Sequence, residues 1–160
     1  MDIRRATLAD HDAIWALLEP VIRAGDTYAL DRDMDRTAAL AYWTGTDREV
    51  FVAEDASGLV GTYYLRPNQA GGGRHVANCG YVTAAAATGR GVGTAMAAHS
   101  LEAARQRGYR AMQFNFVVSS NRRAVALWQR LGFEIIGTLP KAFSHPTAGA
   151  VDAYVMFRAL

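Results

Sequence analysis

The chain has 160 residues, 51% hydrophobic and 20% charged, the balance of one globular domain spanning 1–160 and not of a disordered or fibrous chain. Its formal net charge is +2, with Arg scattered and no Lys/Arg block, so no nucleic-acid partner is expected. The single Cys79 excludes a disulfide framework and a thiolate metal site, and no apolar run approaches the ~18 residues of a membrane span.

Ile3 opens a short strand, after which Thr7 is placed to cap a helix with Asp10 reaching back, and Ile14, Leu17, Leu18, Val21 and Ile22 form its buried stripe. Asp2, Arg4, Arg5, Asp10 and Asp12 break up residues 1–20, so no export or anchoring is expected and the setting is taken as cytoplasmic. Arg23 to Thr46 has a weak period and is expected to be a loop plus a short helix, suited to a lid. Arg48 to Glu54 and Leu59 to Leu65 predict a hairpin around the turn residues Asp55 to Gly58. Gly71 to Gly73 form a loop tip, and His75 to Thr83 a further strand. A helix is predicted from Gly93 to Arg107, closed by Gly108. Ala111 to Val118 is expected to be a strand with Met112, Phe114, Phe116 and Val118 on one face and Gln113, Asn115 and Val117 on the other. A helix from Asn121 to Leu131 follows, then strands Phe133 to Leu139 and Val151 to Phe157 joined by a loop over Pro140 to Gly149.

The chemistry begins at Thr88 to Met96, sequence TGRGVGTAM, where three glycines let the backbone turn tightly and aim N–H groups outward at a helix start. That is an anion site. A dinucleotide fingerprint would need Gly at Met96, and a nucleotide P-loop would need Gly-Lys-Ser/Thr, so neither fits. The order hairpin, strand, Gly-rich turn, helix, strand, helix, together with NRRAVALWQRLGF at Asn121 to Phe133, resembles the GNAT superfamily of N-acetyltransferases from Ile3 to Phe157. Gly91, Val92 and Gly93 match the family's pyrophosphate motif, and Asn121, Ala124, Gly132 and Phe133 match its later motif. Thr88 stands where the family has Gln or Arg. Trp128 stands where many members carry a Tyr acid, and an indole N–H gives up no proton at these pH values.

The resemblance implies an α/β fold: a mixed, mostly antiparallel sheet, splayed at the cofactor site, with helices on both faces. It implies acetyl-CoA as co-substrate and no metal. Cofactor contacts are expected from Val82, Thr83, Gly89, Arg90, Gly91, Val92, Gly93, Thr94 and Asn121, with Arg122 and Arg123 as candidates for the 3′-phosphate. The stretches HVANCGYV, FNFVVSSN and LGFEIIGTLPKAF resemble the proline-analogue N-acetyltransferases, which implies Asn78 and Asn115 as the catalytic-site residues that hold the substrate. As a cap, Asn121 also suits a helix start. No carboxylate lies in His75 to Thr83, so the base is left open between His75, Glu54 and a water held by Asn78. Tyr28, Tyr42, Trp43 and Phe143 are candidate walls of the acceptor pocket. His145 is expected at the surface and Cys79 to be buried and idle.

Direct acetylation of the amine of a small molecule, an amino acid or proline analogue first, is the leading expectation. Asp26, Asp31, Asp33 and Asp35 keep a protein N-terminus or lysine as an alternative acceptor. Loss of the Tyr at Trp128 keeps a non-catalytic acetyl-CoA binding module. A homodimer is compatible with the sequence.

Overall fold

The structure is a computed structural model describing residues 1–160. Its elements are β1 (Asp2–Arg5), α1 (His11–Ala24), α2 (Arg36–Trp43), β2 (Glu49–Asp55), β3 (Gly58–Pro67), β4 (Val76–Thr83), α3 (Val92–Gln106), β5 (Ala111–Val118), α4 (Arg122–Arg130), β6 (Glu134–His145) and β7 (Gly149–Ala159). The strands form one seven-stranded sheet in the order β1-β2-β3-β4-β5-β7-β6. Every neighbouring pair is antiparallel except β4 with β5.

Helices cover both faces because the strands bury side chains on both. On one face, Ile14, Leu18 and Ile22 of α1 and Leu40 and Trp43 of α2 pack with Val52, Tyr64 and Val82. On the other, Met96 and Leu101 of α3 and Trp128 of α4 pack with Phe51, Tyr63 and Phe114. The entry to α1 is the expected cap: the Thr7 backbone N–H donates to Asp10 Oδ2 at 2.7 Å, and Arg4 donates to both oxygens of the same carboxylate. Gly25, at φ +65°, ends α1 in the left-handed conformation that glycine adopts without a Cβ penalty.

Two expectations need correction. The loop expected over Pro140 to Gly149 is strand nearly throughout, and β6 and β7 meet at a turn over residues 146–148. Pro140 is tolerated because β6 is the sheet's edge and its register against β7 shifts between Leu139 and Phe143. His145 belongs to that strand, and its Nδ1 accepts from the N–H groups of Thr147 and Ala148 across the turn. The simple alternation expected in β5 also fails. From Phe114 to Val117 β5 advances three residues while β7 advances two, from Met156 to Tyr154. That bulge returns Val117 to the buried side with Phe114 and leaves Asn115 exposed.

Candidate active site

The site grows from a fork in the sheet. β4 and β5 pair only at Val76 with Ala111 and Ala77 with Met112, although β4 continues to Thr83 and β5 to Val118. At the crotch, Asn78 Nδ2 donates to the Gln113 carbonyl at 2.9 Å, a side chain replacing the ladder bond the strands no longer make. Beyond it the backbone of β4 alternates. Val76 and Ala84 bond toward β3, through Asn68 N–H to Val76 O and Ala84 N–H to Val60 O, whereas Tyr81 turns its N–H and C=O to the opening. By the period of two, Thr83 faces the opening and Val82 bonds toward β3. Of the contacts expected at Val82 and Thr83, both line the cleft beside α3 with Tyr81, but by this period only the backbone of Thr83, like that of Tyr81, faces the opening.

A phosphate cradle lies on the α3 side of the fork. Gly89 (φ +83°) and Gly91 (φ +80°) shape the turn and Gly91 caps α3, so the first helical N–H groups, those of Val92, Gly93 and Thr94, have no partner within the helix. A Cβ on Gly91 would meet nothing within 4 Å, so the approach is open to a ligand. Thr83, Gly89, Gly91, Gly93 and Thr94 line a cleft of about 500 Å³ with Arg123 and Arg130 on its rim. The cleft has what a pyrophosphate needs: free amides, a helix N-terminus and nearby guanidinium groups. Arg90, expected to contribute its backbone amide, donates that N–H to Ala87 O at 3.2 Å and its side chain to Asp55.

A second cavity, of about 260 Å³, opens on the α1/α2 side. Tyr64 forms part of its wall and lies so close over Gly80 that a Cβ there would come within 2.6 Å of the ring. Tyr28, Tyr42, Phe116 and Trp128 are further walls, and Asn78, Asn115 and Arg66 supply polar groups. Arg66 Nε donates to Asn78 Oδ1 at 3.4 Å, and its Nη1 to Asp47 at 3.3 Å. Asp47 is shared with Arg48, whose guanidinium sits over the Tyr64 ring at 4.7 Å. Two guanidinium groups therefore share one carboxylate beside the cavity. Burial raises the phenols of Tyr28, Tyr64 and Tyr81 above their usual range, and it pushes the buried Cys79 thiol up to about 12.

The two cavities share Thr27, Tyr81, Asn121, Ala124 and Trp128, so they meet at the fork. Asn121 caps α4 through Oδ1 to the Ala124 N–H at 3.2 Å and borders both. A model of the acetyltransferase (GNAT) family matches residues 13–133. The chain belongs to that family. Over 151 residues, 84% of this chain and 72% of the relative, it is 28% identical to the N-acetyltransferase aca1 of Schizosaccharomyces pombe. A GCN5-related N-acetyltransferase from Kribbella flavida is 44% identical at a TM-score of 0.94, with 99% and 97% of the two chains covered. A phosphinothricin acetyltransferase of the GNAT superfamily from Sinorhizobium meliloti, solved with acetyl-CoA, shares the fold at a TM-score of 0.87 and 21% identity, over 99% and 88% of the chains. This GNAT chain is an N-acetyltransferase.

Of the expected pocket walls, Tyr28 and Tyr42 line the smaller cavity. Trp43 lies buried beneath them, its Nε1–H donating to Thr62 Oγ1 at 3.1 Å. Phe143 packs on Phe116 in the β6–β7 hairpin. Neither candidate base borders either cavity: Glu54 is ion-paired with Arg4, and His75 is exposed ahead of β4. No Asp, Glu or His lines the joined cavities. Trp128 packs against Phe114 at 4.7 Å and Tyr81 at 5.0 Å. Sequence reasoning missed Arg66, which in strand β3 carries no motif, and the Tyr28–Tyr81 contact, which joins residues 53 apart.

Proposed function

We propose that this enzyme transfers the acetyl group directly to the amine of a small amino acid, with azetidine-2-carboxylate and other proline analogues as the first acceptors to test. The observation that carries this reading is the chemistry of the acceptor cavity. Arg66 is the one charged residue lining it, seven aromatic side chains are among its walls, and Asn78 and Asn115 offer neutral donors and acceptors. A carboxylate on the acceptor answers the guanidinium, and a compact apolar body answers the rings. A volume of about 260 Å³ suits a small molecule better than a peptide, and the absence of lining carboxylates offers nothing to a lysine-rich one.

Chemistry then follows from placement. The acceptor amine would reach the thioester through the fork, where the backbone N–H of Tyr81 faces the opening. Because no carboxylate or imidazole lines the cavities, the amine proton leaves to water, and the acceptor reacts as the neutral amine.

The test is a turnover screen with free-thiol detection over azetidine-2-carboxylate, proline, primary amino acids, the corresponding amides and a basic peptide. Acceptors with a free carboxylate are expected to lead. Arg66→Gln should raise their KM by about 10–100-fold, the equivalent of a charge-assisted hydrogen bond, and leave the amides unchanged. Equal turnover of amides and acids, or preference for the peptide, would overturn the amino-acid reading.

A further inference from the structure

Tyr28 stands in the connection between α1 and α2, far from the fork in sequence, yet its hydroxyl enters the fork. It accepts from the Tyr81 backbone N–H at 2.8 Å and donates to the Tyr81 carbonyl at 2.9 Å. One phenol thus satisfies both backbone groups that β5 leaves unpaired. The ring is held: it packs edge-on against Trp43 at 6.1 Å. The connection is tied down as well, with Arg32 Nε donating to Arg23 O at 2.9 Å and Arg23 Nη1 to Met34 O at 2.8 Å. A hydroxyl so fixed is preorganised for whatever oxygen enters the fork.

We propose that the Tyr28 hydroxyl is a catalytic hydrogen-bond donor that, with the Tyr81 N–H, holds the oxygen of the reacting thioester; this rests on the fork being the acetyl-transfer site. The two donor atoms lie 2.8 Å apart. A carbonyl oxygen can therefore sit about 2.8–3.0 Å from each, the ordinary hydrogen-bond range. Its arrival shares the Tyr81 N–H with the phenol oxygen in a three-centre bond and turns the phenol O–H from the Tyr81 carbonyl to itself, a rotation open to a hydroxyl. As the amine nitrogen adds to the carbonyl carbon, the C=O π pair moves to that oxygen, and both donors strengthen with the charge. Collapse re-forms C=O, the C–S pair leaves with sulfur as thiolate, and the proton shed by the amine nitrogen reaches sulfur through water. Burial keeps Tyr28 protonated, so it serves as a donor at every working pH and not as the acid that Trp128 replaces in sequence.

The experiment is isotope-edited infrared spectroscopy of acetyl-CoA labelled with ¹³C at the carbonyl, bound to the parent and to Tyr28→Phe, with melting curves of both. In the parent the bound carbonyl stretch is expected below that of free acetyl-CoA, and in Tyr28→Phe that downshift shrinks while the fold and cofactor affinity stay within about threefold. Turnover of azetidine-2-carboxylate, or of the best acceptor in the screen, falls about 10–100-fold in kcat with KM little changed, below the range for removing an oxyanion donor because Tyr81 remains. An identical stretch in both proteins, or tighter acetyl-CoA binding by Tyr28→Phe with kcat kept, overturns the proposal and leaves Tyr28 as a plug of the ligand-free fork. Failure of the parent to bind acetyl-CoA overturns the site reading itself, and the inference with it.

Discussion

Asn78 and Asn115 look alike in the sequence, each a lone amide in an apolar strand, but the structure separates them. Asn78 is buried and partnered at both ends, its Nδ2 on the Gln113 carbonyl and its Oδ1 on Arg66. It closes the crotch of the fork and aims the one cation of the acceptor cavity. Asn115 is exposed on the face of β5 opposite Phe114 and bonded to Asn68 and Gln113 side chains. We expect Asn78→Ala to lose about 1–3 kcal/mol in urea unfolding, because the Gln113 carbonyl loses its partner in a half-closed site. Asn115→Ala should stay within about 0.5 kcal/mol of the parent, as surface changes do. Equal stability of the two variants would remove the bridging role of Asn78. Both substitutions are expected to slow acetyl transfer, so unfolding and kinetics together separate the residue that builds the fork from the one that only borders it.

The elements were legible in the sequence where one short-range signal governed them. Thr7 and Asp10 announced the start of α1, the turn residues Asp55 to Gly58 the first hairpin, and Gly108 the end of α3. The β6–β7 hairpin was obscured because Pro140, Pro146 and Gly149 are turn residues in any single window, and only pairing with β7 shows that Pro140 sits on a free edge. The fork had no local signature either and was expected only through the family resemblance, since parting of β4 from β5 is a relation between residues over thirty apart. The same holds for Arg4, whose guanidinium ties the α1 cap to β2 through Asp10 and Glu54. Hydrogen bonds from Arg4 hold the Asp10 carboxyl well below the usual carboxylate range. A depressed folded pKa stabilises fully above the unfolded value of about 4 and is lost as pH falls toward the folded one. The parent's melting temperature should therefore drop more steeply below pH about 4 than that of Asp10→Asn, which starts about 1–3 kcal/mol less stable at neutral pH. Parallel pH profiles would count against the network.

At the scale of the molecule, the sheet is two antiparallel blocks, β1 to β4 and β5 to β7, hinged on two parallel register pairs and one side-chain bridge. The α1/α2 face carries the acceptor cavity and the α3/α4 face the phosphate cradle, and only the gap between the blocks connects them. A ligand that threads that gap contacts both blocks, and so stabilises the folded state more than one confined to the cradle. Acetyl-CoA has the pyrophosphate for the amides of Val92 to Thr94 and the pantetheine arm for the backbone of Tyr81 and Thr83 that faces the gap, whereas ATP offers the phosphates alone and NADH no arm that can pair along a strand. At a ligand concentration of about 100 Kd, binding contributes about 2.7 kcal/mol to folding. For a chain of this size that corresponds to a rise of roughly 5–11 °C in melting temperature. We expect acetyl-CoA to give a rise of that order, with ATP and NADH at equal concentration giving little. Amide hydrogen exchange should locate the effect, with Tyr81 and Thr83 gaining protection beyond that of Val92 to Thr94 only when the pantetheine arm is present. Equal stabilisation by ATP, or protection confined to the cradle, would mean that the gap between the two blocks is not where this ligand lies.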